Sequence, residues 1–456
     1  MTVEVLTCTG AEILKGNLPA ASGRETASGA LTIPEYQRPY CWQDKQLAQL
    51  LTDIKSHNEQ ASELPYYLGS LILHQSDGQL NIIDGQQRVT TLALIACILG
   101  HGSDIELSFE SPQSQQQIKH NLAWLRSRVD TFSSLVSLEQ LVFTIVVTQS
   151  EDDAYLFFET QNTGGVRLGG PDIIKAHHLR AINGSHQARF AKAWENLGKL
   201  NKTVDALLKG RYWQALNRRA LPSHQQQRQI RDTIVSELAQ NTGPGPDVAY
   251  GRVRRQLGLS GEVFMQAAQQ GYDVRQPLNE GVNTIHYLAY FQSLYNRYWL
   301  IPDLPHLQEY QVFIKWLQNL KGCGYLQSLY ESCLLLYISV FGEEQLELAA
   351  KKLFRVVYSR RVSNQKAVRE KSIPAFVRDY PVLDWIAQSY TPQQCFELLD
   401  GFELTVDSSN LAKGDNSTKK RFIKAVVEHF KLNIEPENYV DDFAPALTRA
   451  VTESAQ

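Results

Sequence analysis

The segment from Ile82 to Thr91, IIDGQQRVTT, has the clearest potential for chemistry in this sequence. A predicted strand ends in Asp-Gly, and an apolar helix over 86–99 begins directly after it. Glycine permits a tight turn and a close approach of the backbone to a ligand. The first N–H groups of a helix are unpaired and attract anions. This order of elements therefore predicts a phosphate site.

The polar side chains of this DGQQR turn have matching candidate roles. Arg88 could add bidentate phosphate contacts, and Asp84 could hold a metal ion, bind a ribose hydroxyl or orient a water. Gln86 and Gln87 are neutral hydrogen-bonding groups that could position a nucleophilic water. The structural alternative is a well-capped helix start in which Arg88 pairs with a surface carboxylate. Spacing alone leaves both interpretations open.

A second segment, residues 33–42, reads IPEYQRPYCW and is stiffened by two prolines. Tyr36, Tyr40 and Trp42 could stack on a base or line an apolar pocket. Arg38 could contact phosphate. Taken alone, the segment favours a structural arm that packs its aromatic side chains into the core.

A third segment, FFETQNTGGVRL at 157–168, has Asn and Gly residues that supply backbone donors and left-handed turns. Such a loop could close over a ligand, or it could be a surface connector. Asp172 and Lys175 follow in PDIIK, where they could form a first-turn ion pair. Pro171 favours a helix start at this point.

Periodicity predicts the elements that position these segments in an N-terminal domain. Asp77-Gly78 is a strong signal for a hairpin turn. The expected strands are 66–74, 79–83 and 141–148, and the expected helices are 44–60, 86–99 and 151–160. Residues 111–121, rich in Gln and Ser, predict a loop or the polar start of a helix.

From about residue 188 the pattern is mostly helical. The expected helices are 188–200, 225–240, 284–299, 307–320, 325–341, 344–360 and 420–431. Residues 241–247 predict a loop, and the tail 451–456 predicts disorder. We therefore expect an α+β protein, with a mixed α/β domain over 1–187 and a mainly helical region over 188–456.

Composition limits the classes of function. The chain has 456 residues, 43% of them hydrophobic and 20% charged, with a formal net charge of −3. A basic footprint for nucleic acid over the whole chain is therefore not expected. No run reaches the roughly 18 apolar residues of a membrane helix, and no secretory signal is evident. The six scattered cysteines, without a CxxC pair, favour reduced thiols in the cytoplasm.

Several familiar motifs are missing from the sequence. It contains no Walker A motif, no GxGxxG and no GxSxG elbow.

In their order along the chain, IPEYQRPYCW, YYLGSLIL, NIIDGQQRVTTL and FFETQNTGGVRLGGPDIIKA resemble domain-of-unknown-function family 262. That family is the N-terminal domain of the GmrSD type IV restriction proteins, and it also occurs in phosphorothioate-sensing defence nucleases. The resemblance covers roughly residues 28–185. It implies a fold related to ParB and sulfiredoxin-like domains, in which an analogous turn binds nucleotide phosphates.

The resemblance also implies roles for particular residues, with an NTP and Mg²⁺ as cofactors. The implied catalytic residues are Asp84, Gln86, Gln87 and Arg88, with Asp84 as the metal ligand. The implied nucleotide-binding residues are Gly85, Arg88, Thr90, Thr91, Gln37, Arg38, Asn162, Gly164 and Lys175, with Asp172 in the same motif as the last three. The residues implied in sensing DNA or its modification are Tyr36, Gln37, Arg38, Tyr40 and Trp42.

One departure from the family concerns DNA cleavage. Members of the family often carry a C-terminal HNH-like nuclease domain with a His-x-x-Pro signature, whereas neither His306 nor His429 is followed by that proline. We therefore expect a defence component that binds and hydrolyses NTP, acts on modified DNA and relies on a separate nuclease subunit.

Two other interpretations stay open. In one, the chain is a non-catalytic DNA-binding adaptor that uses the same pocket for a DNA phosphate or a modified nucleotide. In the other, it is a nuclease with an unrecognised site. The sequence also leaves open whether the protein forms a homo-oligomer.

Overall fold

The computed structural model divides the chain into two compact units, Met1–Glu195 and Asn196–Gln456. The boundary follows Glu195, at the end of a helix, whereas the sequence places it after residue 187. The structure describes residues 3–16, 18, 28–59, 64–102, 105, 107–109, 111–151, 153–154, 157, 170–214, 221–250, 254–266, 271–365, 368–412 and 417–453.

A five-stranded mixed sheet forms the framework of the first unit. Its strands are β1 (Val3–Thr9), β2 (Ala30–Thr32), β3 (Tyr66–Ser76), β4 (Gln79–Asp84) and β5 (Leu141–Thr148). Their order is β1-β5-β3-β4-β2. The pairs β1–β5 and β3–β4 are antiparallel, whereas β3–β5 and β2–β4 are parallel.

The predicted β3, β4 and β5 are confirmed, and so is the turn between the first two. Asp77 and Gly78 have φ values of 50° and 73°. A type I′ hairpin turn requires positive φ at both central residues, which explains the Asp-Gly sequence. The sequence did not indicate β1, a short strand along which burial alternates and whose backbone pairs with β5.

The helices of the first unit are α1 (Gly10–Leu14), α2 (Asp44–Glu59), α3 (Gln86–Ile98), α4 (Pro112–Arg126), α5 (Val129–Phe132), α6 (Gly170–Arg180) and α7 (Gly184–Glu195). Helix α3 is buried on nearly every face from Val89 to Ala96. A helix that is apolar all round belongs inside a core. Its residues join the core cluster formed with β3, β4 and β5.

The structure decides between two alternatives predicted for residues 111–121, and it describes few residues of the predicted helix at 151–160. Residues 112–126 form a helix throughout, because Ser111 accepts a hydrogen bond from the Ser114 N–H and Pro112 occupies the first turn. The loop expected at 111–121 is therefore wrong, and only the helix start holds. The expected helix at 151–160 lies mostly outside the described residues.

The second unit is mainly helical, so the α+β class is confirmed. Its helices are α8 (Asn201–Tyr212), α9 (Gln227–Val235), α10 (Val282–Tyr295), α11 (Gln308–Gln318), α12 (Gly324–Phe341), α13 (Leu346–Val357), α14 (Ser359–Ser363), α15 (Ser372–Asp379), α16 (Val382–Gln388), α17 (Pro392–Asp400), α18 (Thr418–Phe430) and α19 (Tyr439–Glu453). The unit also contains a hairpin of β6 (Arg254–Leu257) and β7 (Val263–Gln266).

Most expected helices of this unit are present, but several elements were missed. Periodicity did not indicate α8, α15, α16, α17, α19 or the β6–β7 hairpin. The disorder predicted from residue 451 is also wrong at its start, since Val451 is 1% exposed and lies within α19. Within the described part of the chain, no helix has the length and apolarity needed to cross a membrane. All six cysteines are free thiols.

Candidate functional site

The turn from β4 to α3 depends on Gly85, the residue that caps the helix. Its φ is +92°, and a Cβ atom there would lie 2.0 Å from Leu71 Cδ2. Only glycine accepts both the left-handed backbone and this approach. Because glycine has no side chain, no side-chain hydrogen bond caps the first turn of α3. The N-terminus of α3 therefore has the properties of an anion site.

Arg88 is held against β3 and against the carboxylate of its own motif. Its Nη1 donates to the Leu68 carbonyl at 3.0 Å, and its Nη2 lies 3.5 Å from Asp84 Oδ2. Gly69 leaves the space for this guanidinium, since a Cβ there would lie 2.2 Å from Arg88 Nη1. The Arg88 and Asp84 side chains are 24% and 27% exposed, so each can still reach a ligand.

The two glutamines of the motif have different environments. Gln87 Oε1 accepts from the Cys41 N–H at 2.9 Å, and Gln87 Nε2 donates to the Pro39 carbonyl at 3.1 Å. Both ends of this amide hold the 33–42 arm, so the predicted role of Gln87 in orienting water is not supported. Gln86 is 5% exposed and lines a small cavity beside Arg38. Its side chain makes no hydrogen bond to the described residues.

The aromatic residues of the arm are largely in the core. Tyr36 and Tyr40 are 3% and 1% exposed. The Tyr40 hydroxyl lies 2.8 Å from Thr91 Oγ1 and accepts a bond of 2.9 Å from Asn121 Nδ2, while burial raises the Tyr40 pKa. Neither tyrosine presents its ring for stacking. Thr90 and Thr91 are also buried, at 1% and 0% exposure, so their predicted contact with a nucleotide is not supported.

Hydrogen bonds of Gln37 and Lys175 connect the arm to β4 and to α6. Gln37 Nε2 donates to the Ile83 carbonyl at 2.8 Å, and Lys175 Nζ donates to the Gln37 carbonyl at 2.8 Å. Lys175 is 2% exposed, and its ammonium also lies 3.5 Å from Glu195 Oε1. Burial lowers the pKa of Lys175, whereas Glu195 and, to a smaller extent, Asp172 act in the opposite direction. Lys175 therefore supports the arm and is not presented to a nucleotide.

Two small cavities lie beside α3. One has a volume of about 30 Å³. It is lined by Ile33, Pro34, Glu35, Gln37, Arg38, Pro39, Gln86, Ser108, Phe109, Ser111, Ser114 and Glu195. Arg38, which is partly exposed, forms no ion pair with the described residues. Arg38 and Gln86 line this cavity and have no ion-pair or hydrogen-bond partner among the described residues, so both are available to a ligand at the start of α3.

The second cavity lies on the Arg88 side and has a volume of about 110 Å³. It is lined by Trp42, Leu50, Tyr66, Tyr67, Leu68, Arg88, Leu92, Ile95 and Leu141. Trp42 is the arm aromatic that reaches a cavity, and Tyr67, which the sequence did not single out, is 56% exposed. Tyr67 could have been found from its place beside Tyr66 at the start of β3.

The structure bears on the predicted metal ligand Asp84, whereas it does not describe the predicted loop residues Asn162 and Gly164. Among the described residues no group of three His, Cys, Asp or Glu side chains could hold a metal ion. Mg²⁺ commonly takes one or two carboxylates together with substrate phosphates and water. Asp84 therefore suits Mg²⁺ only if a nucleotide supplies the remaining ligands. Asn162 and Gly164 lie outside the described residues.

Residues 22–179, which include the arm and the DGQQR turn, match the family model of the GmrSD restriction endonuclease N-terminal domain. This chain carries a GmrSD N-terminal domain. Residues 186–414 match a family of unknown function, DUF7834. That match covers half of the chain, so the chain belongs to this family. No curated protein matches the chain. The GmrSD N-terminal domain relates the protein to type IV restriction, which acts on DNA in defence against phage.

Proposed function

We propose that the GmrSD N-terminal domain of this protein binds an NTP with Mg²⁺ at the DGQQR turn and hydrolyses it. The observation that carries the proposal is the uncapped N-terminus of α3, flanked by Arg38 and Gln86, two polar side chains without a described ion-pair or hydrogen-bond partner. A helix N-terminus and an arginine together suit a phosphate group.

Each residue of the site has a defined task in this proposal. Arg38 and the first N–H groups of α3 bind phosphate oxygens. Asp84 would hold Mg²⁺, which would offset the negative charge of the phosphates, and Arg88 keeps Asp84 in place. Gln86 orients the attacking water. Positioning and electrostatic stabilisation of this kind supply most of the catalysis in phosphoryl transfer.

The proposed partners of the domain are modified DNA and a separate nuclease subunit. We propose that the domain senses modified DNA, with Trp42 and Tyr67 as the available stacking surfaces, and that a separate nuclease subunit cuts it in the cytoplasm. Two histidines that a nuclease site could use have structural contacts instead. His306 Nε2 lies 2.7 Å from Glu343 Oε2, and His429 stacks on Trp316 with ring centroids 4.0 Å apart.

Phosphate release from ATP, GTP, CTP and UTP with Mg²⁺, with and without modified DNA, tests the proposal. We expect turnover by the wild type and at least a roughly hundredfold loss in both Arg38→Ala and Arg88→Ala, since each removes a charge at the phosphate or metal site.

Arg126→Ala is the matched control, because Arg126 is an exposed arginine in the last turn of α4, outside both cavities. It should retain wild-type turnover. Absence of turnover with every nucleotide, or equal rates in Arg38→Ala and Arg126→Ala, would contradict the proposal.

A non-catalytic DNA-binding adaptor is the second candidate. It is favoured by the engagement of Gln87 with the arm and by the lack of a described three-residue metal group. In this case Asp84→Ala leaves DNA affinity largely intact, whereas Arg38→Ala weakens it and reduces its salt dependence. Fluorescence anisotropy with labelled DNA over a salt series distinguishes the two functions.

A further inference from the structure

The helical unit contains a cavity that neither family description explains. Its volume is about 780 Å³, which lies within the range of small-molecule sites. The apolar and aromatic part of its wall comes from Leu208, Trp213, Leu221, Pro222, Ile230, Tyr325, Val368, Ile373 and Pro374. Helices α8, α9, α12 and α15 all contribute to it.

Both carboxylates in the wall already have hydrogen-bond partners within the protein. Asp205 pairs with Lys209 and accepts a hydrogen bond from the Ser328 hydroxyl at 3.1 Å. Glu370 Oε2 lies 2.5 Å from His224 Nδ1. Burial alone would raise the pKa of Glu370, but its hydrogen bonds, chiefly from His224, hold that pKa below its ordinary value. A ligand therefore meets carboxylates that already have cationic or donor partners.

Two lysines leave a positive charge at the cavity. Lys202 and Lys371 line it, are exposed, and form no ion pair with any described residue. Lysine ammonium groups bind phosphate as point charges. The lining therefore combines a net positive polar region with a larger apolar surface.

One aromatic side chain of the cavity wall has a buried hydrogen-bond donor without a partner among the described residues. Trp213 is 8% exposed, and its indole N–H is buried without a hydrogen-bond partner among the described residues. An unpaired buried donor is costly, and an acceptor on a ligand would satisfy it. Tyr325 also lines the cavity and is 39% exposed, and its ring lies 5.6 Å from that of His224.

We propose that this cavity binds a small phosphate monoester with a flat aromatic or heteroaromatic body. The body packs between Trp213, Tyr325 and the aliphatic wall, and the phosphate faces Lys202 and Lys371. Such a site gives the helical unit a sensing or substrate-binding function of its own. It does not depend on nucleotide hydrolysis in the GmrSD N-terminal domain.

Binding of 1-naphthyl phosphate to the full chain tests this site, measured by isothermal titration calorimetry beside 1-naphthol and inorganic phosphate. Gly324 lines the cavity, and a Cβ there would meet no atom within 4 Å, so Gly324→Phe fills space without a clash at its Cβ. Gly243→Phe is the matched control, since Gly243 is equally open and lies outside the cavity lining. We expect at least about tenfold weaker binding in Gly324→Phe only.

The charge requirement is tested by the double variant Lys202→Gln/Lys371→Gln. It should weaken 1-naphthyl phosphate at least about tenfold and leave 1-naphthol unchanged, because only the former needs the two ammonium groups. Lys55→Gln/Lys424→Gln, at two exposed lysines outside the cavity lining, controls for the loss of two charges. Failure of 1-naphthyl phosphate to bind the wild type, or binding equal in the two double variants, would overturn the proposal.

Discussion

The side-chain amide of Gln87 joins two segments that lie 46 residues apart in the chain. It satisfies the Cys41 N–H and the Pro39 carbonyl at the same time. Its neighbour Gln86 has the same chemistry but lines a cavity. Helical residues at i and i+1 do not share a face, so adjacent identical side chains can have different roles. At the scale of the residue, the DGQQR motif therefore contains one glutamine that stabilises the arm and one that could contact a ligand.

Replacing Gln87 should cost stability before it affects chemistry. Gln87→Ala leaves a donor and an acceptor of the arm without partners, so we expect the free energy of unfolding to fall by about 1–3 kcal/mol. Urea denaturation followed by tryptophan fluorescence measures this change. Gln49→Ala, which removes an exposed hydrogen bond to Asp53 on α2, should change it by less than about 0.5 kcal/mol. Equal effects in the two variants would contradict a support role for Gln87.

At the scale of the element, the strand-to-helix turn requires a glycine for two separate reasons. Gly85 has a positive φ, and its α-carbon faces the buried side chain of Leu71. Gly78, in the β3–β4 hairpin, also has a positive φ of +73°, but it has open space around it. Comparison of the two positions separates backbone strain from steric conflict.

Alanine substitution at these two glycines should therefore have unequal effects. Gly85→Ala combines left-handed strain with overpacking against Leu71, so we expect a loss of about 2–5 kcal/mol in the free energy of unfolding. Gly78→Ala carries the strain alone and should lose about 1–2 kcal/mol. Thermal and urea denaturation of both variants give the comparison. A loss at Gly85 no larger than that at Gly78 would show that Leu71 moves aside freely.

At the scale of the whole molecule, carboxylate–histidine pairs recur through the helical unit. They are Asp247–His286, Glu343–His306 and Glu370–His224, with N–O distances of 2.7, 2.7 and 2.5 Å. For each carboxyl, burial would raise the pKa, but hydrogen bonds outweigh burial and hold it below its ordinary value. A carboxyl with a lowered pKa in the folded state stabilises that state above its unfolded pKa.

This linkage predicts acid sensitivity of the helical unit. Its free energy of unfolding should fall as the pH drops below the ordinary Glu pKa of 4.5 toward the lower pKa of folded Glu343. Glu343→Gln should be less stable at pH 7 and lose less stability in acid, because its amide does not titrate. Urea denaturation between pH 7 and pH 3.5 tests this. Glu309→Gln, at a 71% exposed partner of Lys351, should follow the wild type.

The sequence alone determined the features that depend on local pattern. The β-branched run 141–148, the Asp-Gly turn at 77–78 and the apolar helix after Gly85 are all present, because each is specified by residues adjacent in the chain. The order of its motifs also identified the GmrSD N-terminal domain. Helix α8 was missed, although half of its residues are buried. Strand β1 was also missed, because its strand conformation is completed by pairing with β5.

The tertiary structure decided which polar residues remain available to a ligand. Sequence could not show that Lys175 is buried beneath the arm, that Tyr40 bonds Thr91, or that Gln87 is engaged while Gln86 is not. The three contacts join residues that lie 138, 51 and 46 positions apart in the chain. Spacing along the chain fixes neighbours within one helix or hairpin, whereas the packing of distant segments fixes which side chains are paired. The cavity at Lys202 and Lys371 arises in the same way, from helices that meet only in the folded unit.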